Sequence, residues 1–371
     1  MKLSYWEIKT WLTQVDYTIV GSGIVGLNCA LQLKKRFPKA NVLILEKGIW
    51  PQGASTKNAG FACFGSLSEI IEDLNHHSQE EVIRLVKERV KGLNLLRKNL
   101  GDTTIDYQNL GGYELFLDSD EALYQSCLNK QDEINALLYP IFNADVFSFE
   151  KNALRFKNIK SHYSFNAFEG QIDTGKMMEG LLNKVQTLGV KILNNVTVEA
   201  FSEISNSVNI KTNVFEFSTS KLFITTNGFA SQLLNEAVKP ARAQVLITKP
   251  INNLQIKGTF HLDKGYYYFR NIDGRILLGG GRNLDFKTEE TSEFGETKII
   301  QNKLEDLLQN TILPNTNVEI EHRWSGIMGV GNQKKPIVKP LSNHVFCGVR
   351  LGGMGVAIGS TIGYQLANLL D

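Results

Sequence analysis

One segment, Asp16 to Gly48, constrains the fold of this chain more than any other. It opens with a short apolar run of β-forming residues and continues with three glycines in the spacing G-x-G-x-x-G, namely Gly21, Gly23 and Gly26. An apolar-periodic stretch follows and predicts a helix, and a second apolar run, Val42 to Leu45, ends on Glu46. The order of strand, tight turn, helix, strand and terminal acid predicts a βαβ unit of the kind that binds dinucleotides.

Each part of this unit has a physical task. Gly21 permits the tight turn, Gly23 lets the backbone approach a pyrophosphate, and Gly26 lets the helix pack closely on the strand. The N-terminus of the helix offers unpaired N–H groups and a partial positive charge to the phosphates. Glu46 can accept hydrogen bonds from both hydroxyls of an adenosine ribose. The alternative is an α/β unit whose glycines only turn the chain.

Composition argues against several classes of protein. The 371 residues are 42% hydrophobic and 21% charged, which is typical of a globular chain with two domains or one large one. The net charge of +2 gives no reason to expect nucleic acid or an anionic membrane as the main partner. The four cysteines and six histidines lack the spacing of metal ligands, so we predict no metal site.

The first fifteen residues precede the βαβ unit and contain no uninterrupted apolar core, so they do not predict a secretory signal. No run elsewhere approaches the ~20 apolar residues needed to span a bilayer. We therefore expect a cytoplasmic protein with no integral membrane segment. Trp6, Ile8 and Trp11 are expected to form the apolar stripe of a short helix docked on the body, with a membrane-surface anchor as the alternative.

Two glycine-rich segments outside the βαβ unit are candidates for ligand contact. Small residues dominate the loop from Gly53 to Gly60, which can lie flat against a planar ligand and present N–H donors. A plain surface turn is the alternative for this loop. A second strand-to-helix turn, Gly352 to Gly355, precedes an apolar helix over 356–370. The N-terminus of that helix could face the negative end of a cofactor.

Periodicity predicts the remaining elements. Helices are expected over 67–100, with a break near His76, and over 118–138, with Asp118 and Ser119 as N-cap candidates. Strands are expected over 196–217 and 222–226, followed by a β-rich section that includes a hairpin over 265–280. Since a βα pattern resumes after an excursion, the two domains are expected to interleave along the chain.

With these features in place, the sequence resembles the flavoprotein family of glycine oxidase, sarcosine oxidase and D-amino-acid dehydrogenase, from about Asp16 to Asp371. The matching segments are the opening glycines with Glu46, the small-residue loop, the Gly170–Asp173 loop, the strand end Thr225-Thr226-Asn227-Gly228 and the closing turn Gly353-Met354-Gly355. The occurrence of all five in this order favours FAD over NAD.

The expected fold class is α/β (α+β), with a Rossmann-like FAD-binding domain interleaved with a β-rich substrate domain. The predicted limits are 16–75, 165–240 and 323–371 for the discontinuous FAD-binding domain, 76–164 and 241–322 for the substrate-binding domain, and 1–15 for an N-terminal extension.

FAD is expected to be bound non-covalently, because the cysteine that carries it in sarcosine oxidases has no counterpart between Trp324 and Val345. The residues predicted to bind FAD are Gly21, Gly23, Ile24, Val25, Gly26, Glu46, Lys47, Ser55, Lys57, Asn58, Ala59, Gly60, Val198, Thr226, Asn227, Gly228, Gly326, Arg350, Gly352, Gly353, Met354, Gly355 and Val356.

Three residues of the predicted hairpin, Tyr266, Tyr268 and Arg270, are expected to bind the substrate. They alternate along one strand and so point to one face, where the guanidinium could grip a carboxylate and the phenols could donate hydrogen bonds. Packed tyrosines and a solvated arginine are the alternative. Lys57 and Arg350 could stabilise the reduced flavin or bind an anionic substrate.

The reaction implied by the resemblance is oxidation of a C–N bond of an amino acid or secondary amine by hydride transfer to flavin N5, with oxygen or a quinone as electron acceptor. A neutral amine needs no obligatory side-chain base, so the sequence leaves the catalytic residues unassigned. Met354 stands where the family has a histidine in the closing turn. Glycine oxidases and D-amino-acid dehydrogenases often carry a carboxylate-binding arginine just past the segment that matches Trp324 to Gly326, and no arginine follows it here. The substrate assignment is therefore left open. Sarcosine oxidases place a lysine over the flavin for the reaction with oxygen. The strand that corresponds roughly to 275–280 contains no lysine here, which favours a dehydrogenase over an oxidase.

Other functions remain open at this point. An FAD-dependent 2-hydroxy-acid or glycerol-phosphate dehydrogenase would want a histidine base near N5, and none of the six histidines lies in a predicted flavin loop. A tRNA-modifying flavoprotein would need a basic face, which the net charge does not favour. A flavin-binding protein without enzymatic activity would leave the second domain without a purpose.

Overall fold

The computed structural model describes residues 2–314 and 316–370. Met1 and Asp371, which are the outer ends of the predicted N-terminal extension and FAD-binding domain, lie outside the described residues, as does Asn315.

The strands are β1 (Val15–Val20), β2 (Val42–Leu45), β3 (Phe61–Ala62), β4 (Gly112–Leu115), β5 (Phe147–Lys151), β6 (His162–Asn166), β7 (Gly170–Gln171), β8 (Lys191–Leu193), β9 (Val198–Ile204), β10 (Ser207–Thr212), β11 (Glu216–Ile224), β12 (Lys239–Thr248), β13 (Thr259–Leu262), β14 (Tyr267–Ile272), β15 (Arg275–Gly280), β16 (Ile320–Val330), β17 (Ile337–Pro340) and β18 (Val345–Val349). The helices are α1 (Tyr5–Glu7), α2 (Ile24–Arg36), α3 (Leu67–His76), α4 (Gln79–Leu100), α5 (Glu121–Phe142), α6 (Thr174–Thr187), α7 (Phe286–Glu289), α8 (Lys298–Leu307) and α9 (Gly355–Ala367).

The first large sheet is built around the βαβ unit. Its strand order is β17-β18-β11-β1-β2-β8, and β9 and β10 extend from β11 as an antiparallel meander. Strands β8, β2, β1, β11 and β18 run parallel, with Ile19 of β1 opposite both Ile44 and Phe223. A largely apolar layer of α2, α4, α6 and α9 packs on one face. The residues of β1, β2, β10 and β11 that point the other way form a second apolar cluster. This sheet confirms the predicted βαβ unit, with the strand ends directed toward a common edge.

The second large sheet is mainly antiparallel, in the order β16-β12-β15-β14-β13-β4-β6-β5. The predicted hairpin is confirmed as β14 and β15. Its two turn residues, Asp273 and Gly274, have φ of 49° and 70°, the left-handed values that favour a tight two-residue hairpin turn. A layer of apolar side chains from α8 packs on this sheet.

Strands of the two sheets alternate along the chain, which confirms the interleaved α/β architecture. The predicted domain limits remain a proposal; α3, β6, β12 and β16 each run across one of them, and α4 packs on the other predicted domain. Strand β16 begins within the predicted substrate segment and pairs with β12 in the second sheet along most of its length. Helix α4, within 76–164, packs on α9 of the FAD-binding part, where a side chain on Gly92 would overlap the carbonyl oxygen of Ala357.

Two local predictions were wrong, each because of a contact that is distant in sequence. Helix α5 begins at Glu121 and not at 118, because Asp118 donates its N–H to Asn158 O and the Asp120 carboxylate accepts from Leu117 N. These contacts keep residues 116–118 paired with 158–160. The strands predicted to end at 217 and begin at 222 form one strand, β11, because it pairs with both β10 and β1.

The N-terminal residues do not dock as predicted. Trp6 is 69% exposed and Ile8 is 45% exposed, while Trp11 packs partly against the apolar cluster beneath β10 and β11. The predicted stripe is therefore wrong for two of its three members. Among the described residues, no helix combines the length and apolar character that a bilayer crossing requires.

Candidate active site

A cavity of about 950 Å³ opens at the edge where the parallel strands of the first sheet end. On one side it is lined by the ends of β1, β2 and β11, by the starts of α2 and α9, and by the loop 52–60. On the other side it is lined by residues from β12 to β16 of the second sheet. Ligands of open α/β sheets bind at this edge, outside the carboxyl ends of the strands.

The glycine turn between β1 and α2 forms one end of the cavity. Gly21 has φ of 100°, which favours glycine, and its N–H donates to Leu45 O at 2.8 Å. A side chain on Gly26 would overlap the carbonyl oxygen of Gly21, so helix and turn lie as close as a glycine allows. At Gly23 a Cβ would come within 2.9 Å of Ser55 Oγ. The backbone is therefore bare where a pyrophosphate would approach.

Glu46 lies at the end of β2, buried but on the cavity wall. Its Oε2 accepts from Ser22 N at 3.0 Å and from Ser22 Oγ at 2.7 Å, and its Oε1 accepts from Gly48 N at 3.0 Å. A carboxylate offers about four acceptor positions, so about one remains for a ligand. Glu46 thus braces the glycine turn as well as facing the cavity.

The small-residue loop is held flat by its own hydrogen bonds and by the second sheet. Ser55 Oγ accepts from Ile24 N at 2.9 Å, at the start of α2. Asn58 Oδ1 accepts from Gly60 N at 2.9 Å. Trp324 Nε1 on β16 donates to Lys57 O at 2.9 Å. The loop therefore connects the start of α2 to the second sheet.

The closing turn is fixed by Asn227. Its side-chain oxygen accepts from Arg350 N and Leu351 N, both at 3.1 Å, and so joins the end of β11 to the segment that leads into α9. Gly352 and Gly353 have φ of 59° and 85°, and α9 begins two residues after Gly353. In the same wall, Thr226 Oγ1 is buried and has no hydrogen-bond partner among the described residues.

These observations fit a dinucleotide cofactor: a bare glycine cradle, a carboxylate with spare acceptor capacity, and an orphaned hydroxyl all face one cavity. The predicted FAD-binding residues that line it are Gly21, Gly23, Ile24, Val25, Glu46, Lys47, Ser55, Lys57, Asn58, Ala59, Gly60, Val198, Thr226, Asn227, Gly228, Gly326, Gly352, Gly353, Met354, Gly355 and Val356.

Two predicted FAD-binding residues lie outside the cavity lining. Gly26 is behind the glycine turn, where it allows the close packing described above. The Arg350 guanidinium donates to Lys335 O at 2.9 and 3.1 Å and to Ala237 O at 3.3 Å. Burial lowers the pKa of Arg350. Its charge is therefore directed away from the cavity.

Aromatic side chains line the cavity where β3 meets the second sheet. Phe61 meets Tyr268 edge to face at 5.6 Å and His261 at 5.2 Å between ring centroids. Burial raises the pKa of Tyr268 to about 12, so its phenol is neutral and can donate. Tyr266 lines the same cavity from the turn just before β14.

Arg270 is not on this wall. It is 3% exposed, and its Nη1 donates to Ile172 O at 2.6 Å and to Gly60 O at 3.0 Å. Burial lowers the pKa of its guanidinium to about 10, against the opposing charge of Asp173. The structure brings Tyr266 and Tyr268 together at the cavity and leaves Arg270 behind it, where it supports the small-residue loop.

Sequence reasoning missed a buried ion pair on the cavity wall. His261 Nε2 lies 2.5 Å from Glu169 Oε1, which also accepts from Thr259 Oγ1 at 2.7 Å. Burial alone would lower the pKa of His261, but the charge and hydrogen bond of Glu169 outweigh it and raise the pKa to about 9. The imidazole is therefore protonated at neutral pH. None of the six histidines lies in a predicted flavin loop, but that argument did not consider the second sheet, from which His261 reaches the cavity wall.

Other polar groups on the wall were also missed, among them Arg89, Lys264 and Arg282. No local motif marks them, because they come from different elements. Lys264 is paired with Glu72 at 3.0 Å. Over the residues that the structure describes, no group of three or more potential metal ligands could hold a metal ion.

Comparison with known proteins identifies the family. The family profile described as DAO, FAD dependent oxidoreductase, matches residues 16–369. The chain belongs to this family. It is therefore an enzyme of the FAD-dependent oxidoreductases.

Individual relatives of this oxidoreductase are distant. The chain is 20% identical to the probable oxidoreductase OrdL of Haemophilus influenzae, over 97% of this chain and 84% of that protein. Among solved structures, glycine oxidase from Geobacillus kaustophilus is 18% identical with a TM-score of 0.77, covering 96% of this chain and 95% of that one. Iminodiacetate oxidase from Chelativorans sp. BNC1 is 17% identical with a TM-score of 0.75, covering 95% and 94%. At these identities the two structures show a shared fold.

Proposed function

We propose that this oxidoreductase oxidises a C–N bond of an amino acid or secondary amine by hydride transfer to flavin N5. The observation that carries the proposal is the contact of His261 on the cavity wall with Glu169, 2.5 Å from Nε2 to Oε1, which raises the pKa of the imidazole to about 9 and so favours its protonated form. An imidazole that already holds its proton cannot accept one from an alcohol. An amine substrate can instead reach the site neutral and needs no such base.

The names of similar structures support the same class of substrate. The glycine oxidase and the iminodiacetate oxidase are named for amino acids, one with a primary and one with a secondary amine. The competing reading, oxidation of a 2-hydroxy acid or glycerol phosphate, would need a base for the alcohol proton, and Glu169 favours the protonated form of His261, the histidine on the described wall. A tRNA-modifying role is not favoured by a net charge of +2.

FAD, when bound, supplies the two-electron acceptor for this reaction. The chain's own part is to bind, orient and exclude water. Phe61 and Tyr268 offer an apolar wall on which the substrate can be held, and the neutral phenol can donate a hydrogen bond to it. Loss of the hydride from the carbon of a neutral amine leaves an iminium cation, which water then hydrolyses to a carbonyl compound and an ammonium ion outside this step.

We further propose that FAD is held without a covalent link through cysteine. Within the described part of the chain, Cys63 is the cysteine that lines the cavity. Burial raises its pKa well above the usual range, so the group is a thiol and not the nucleophilic thiolate.

The decisive experiment is anaerobic bleaching of the flavin absorbance by a panel of substrates. We expect α-amino acids or N-alkyl amino acids to bleach the bound flavin, and matched 2-hydroxy acids such as lactate and glycolate to leave it oxidised. Bleaching by the hydroxy acids alone would contradict the proposal. Reoxidation of the bleached enzyme by oxygen, or by a soluble quinone only, then assigns the electron acceptor, for which both remain proposed.

A further inference from the structure

Arg89 is a buried charge on the cavity wall for which the fold supplies little compensation. It lies on α4, is 3% exposed, and lines the cavity. Its Nη1 donates to Phe64 O at 2.7 Å, while its buried Nε has no partner among the described residues. A guanidinium carries five N–H donors, so most of its capacity is unused by the protein.

The other buried arginines of the described chain differ in this respect. Arg242 donates two bonds to the Glu289 carboxylate, at 2.8 and 2.9 Å. Arg270 has three acceptors, the carbonyl oxygens of Gly60, Ile172 and Asn271. The Arg350 side chain donates three bonds to two carbonyl oxygens. Arg89, with one acceptor, is the exception, and unlike these three it faces the cavity.

A buried cation with a single acceptor is costly, and the cost falls when an anion completes its hydrogen bonds. The planar fork of a guanidinium matches a carboxylate with two parallel bonds. The location also fits the reacting end of the cavity. Phe64 follows the aromatic wall residue Phe61 by three positions, which places it within ~11 Å even in a fully extended chain. The adenine end, by contrast, is marked by Glu46.

We propose that Arg89 binds the carboxylate of the substrate, so that this enzyme acts on amino acids in preference to simple amines. The inference rests on the proposed C–N oxidation. Carboxylate binding was expected of Arg270 on the hairpin. The proposal assigns it instead to Arg89 on α4, a helix that packs on the first sheet. An oxygen of the flavin ring could also accept hydrogen bonds from Arg89. The experiment distinguishes this acceptor from the carboxylate of the substrate.

The test compares the holoenzyme with Arg89→Met and Arg89→Lys variants. The substrates are an amino acid that bleaches the wild-type flavin and the matched amide, which lacks the carboxylate. For Arg89→Met we expect binding of the amino acid to weaken by about 10²-fold or more, since charged hydrogen bonds are lost, while the amide is affected little. Arg89→Lys should recover part of the loss, because an ammonium keeps the charge but not the fork.

The matched control is Arg84→Met on the same helix, where the side chain is 61% exposed. This variant should behave as the wild type toward both substrates. FAD affinity and the flavin reduction potential are measured on every variant, because both should change if Arg89 binds the flavin and not the substrate. Retention of FAD affinity and potential in Arg89→Met supports the substrate as the source. A large loss of either, with the amino acid and the amide affected equally, would overturn the proposal in favour of the flavin.

Failure of the proposed function is read separately, from the visible spectral shift on titration with acetate and benzoate. If no amine bleaches the wild type but Arg89→Met abolishes carboxylate binding, the C–N assignment falls and the carboxylate site stands. Unchanged carboxylate binding in Arg89→Met would overturn the site. A loss found only in an Arg282→Met variant would also overturn it, and would move the anchor to Arg282 beside Phe286.

Discussion

Replacing His261 should flatten the alkaline side of the pH–stability curve. The pKa of His261 is raised from 6.5 to about 9 because Glu169 favours the charged ring more strongly than burial disfavours it. A proton held more tightly in the folded state stabilises that state. The contribution is fully present below pH 6.5 and is lost as the pH rises through about 9.

The size of the effect follows from the same two values. At about 1.4 kcal/mol for each pKa unit, the change from 6.5 to about 9 corresponds to about 3 kcal/mol. Both side chains are almost fully buried, so solvent screens the pair little. The free energy of unfolding of the wild type should therefore fall by about 3 kcal/mol from this pair between pH ~6 and pH ~9.5.

The assay is urea unfolding at fixed, saturating FAD, followed by far-ultraviolet circular dichroism across that pH window. His261→Gln should remove this part of the fall, because glutamine keeps a donor for Glu169 and does not titrate. Glu169→Gln should remove it as well, since without the carboxylate burial disfavours the charged imidazole. The exposed His76→Gln serves as the control and should keep the wild-type slope. An equal fall in wild type and His261→Gln would refute the ion-pair reasoning.

Four further outcomes are expected. Glu46→Gln should weaken FAD binding by about 1.5–3 kcal/mol in titration of the apoprotein, because a charged acceptor is lost. Gly26→Ala should cost about 1–3 kcal/mol in urea unfolding, since its Cβ would overlap Gly21 O, whereas Gly53→Ala meets no atom within 4 Å and should cost little. Acid precipitation should release the flavin as free FAD, and flavin retained on the chain would contradict the non-covalent proposal. Arg270→Met should lower the free energy of unfolding by about 2–4 kcal/mol, because the carbonyl oxygens of Gly60, Ile172 and Asn271 lose their bonds to the guanidinium, and normal stability with lost substrate binding would instead restore its predicted role.

The parts of the fold that sequence predicted well are those set by local signals. The βαβ unit needs only glycine spacing, apolar periodicity and a terminal acid, all within Asp16 to Gly48. The hairpin needs a two-residue turn that accepts positive φ, which Asp273-Gly274 supplies. Where a distant segment competes, as 158–160 does at the start of α5, local signals gave the wrong boundary. Register and capping are then decided by partners that no short window contains.

The cavity shows the same division. Glycines and small residues that line its cofactor side could be predicted because their positions follow from the turns they allow. Glu46 could also be predicted, but its three hydrogen bonds to Ser22 and Gly48 could not. The ion pair of His261 with Glu169 joins strand β13 to a loop 92 positions away, and no spacing rule connects them.

Arg270 and Arg89 show why side-chain direction is not enough to assign a binding role. The period of a strand correctly places Arg270 on one face with Tyr268, yet carbonyl oxygens from two other segments already occupy its guanidinium. Nothing in the pattern of α4 distinguishes Arg89 from an ordinary helical arginine, and both residues are 3% exposed. What separates them is the number of acceptors that the fold supplies, because a buried guanidinium must be satisfied either by protein or by ligand. The charge that the protein leaves unsatisfied is the one available to a substrate.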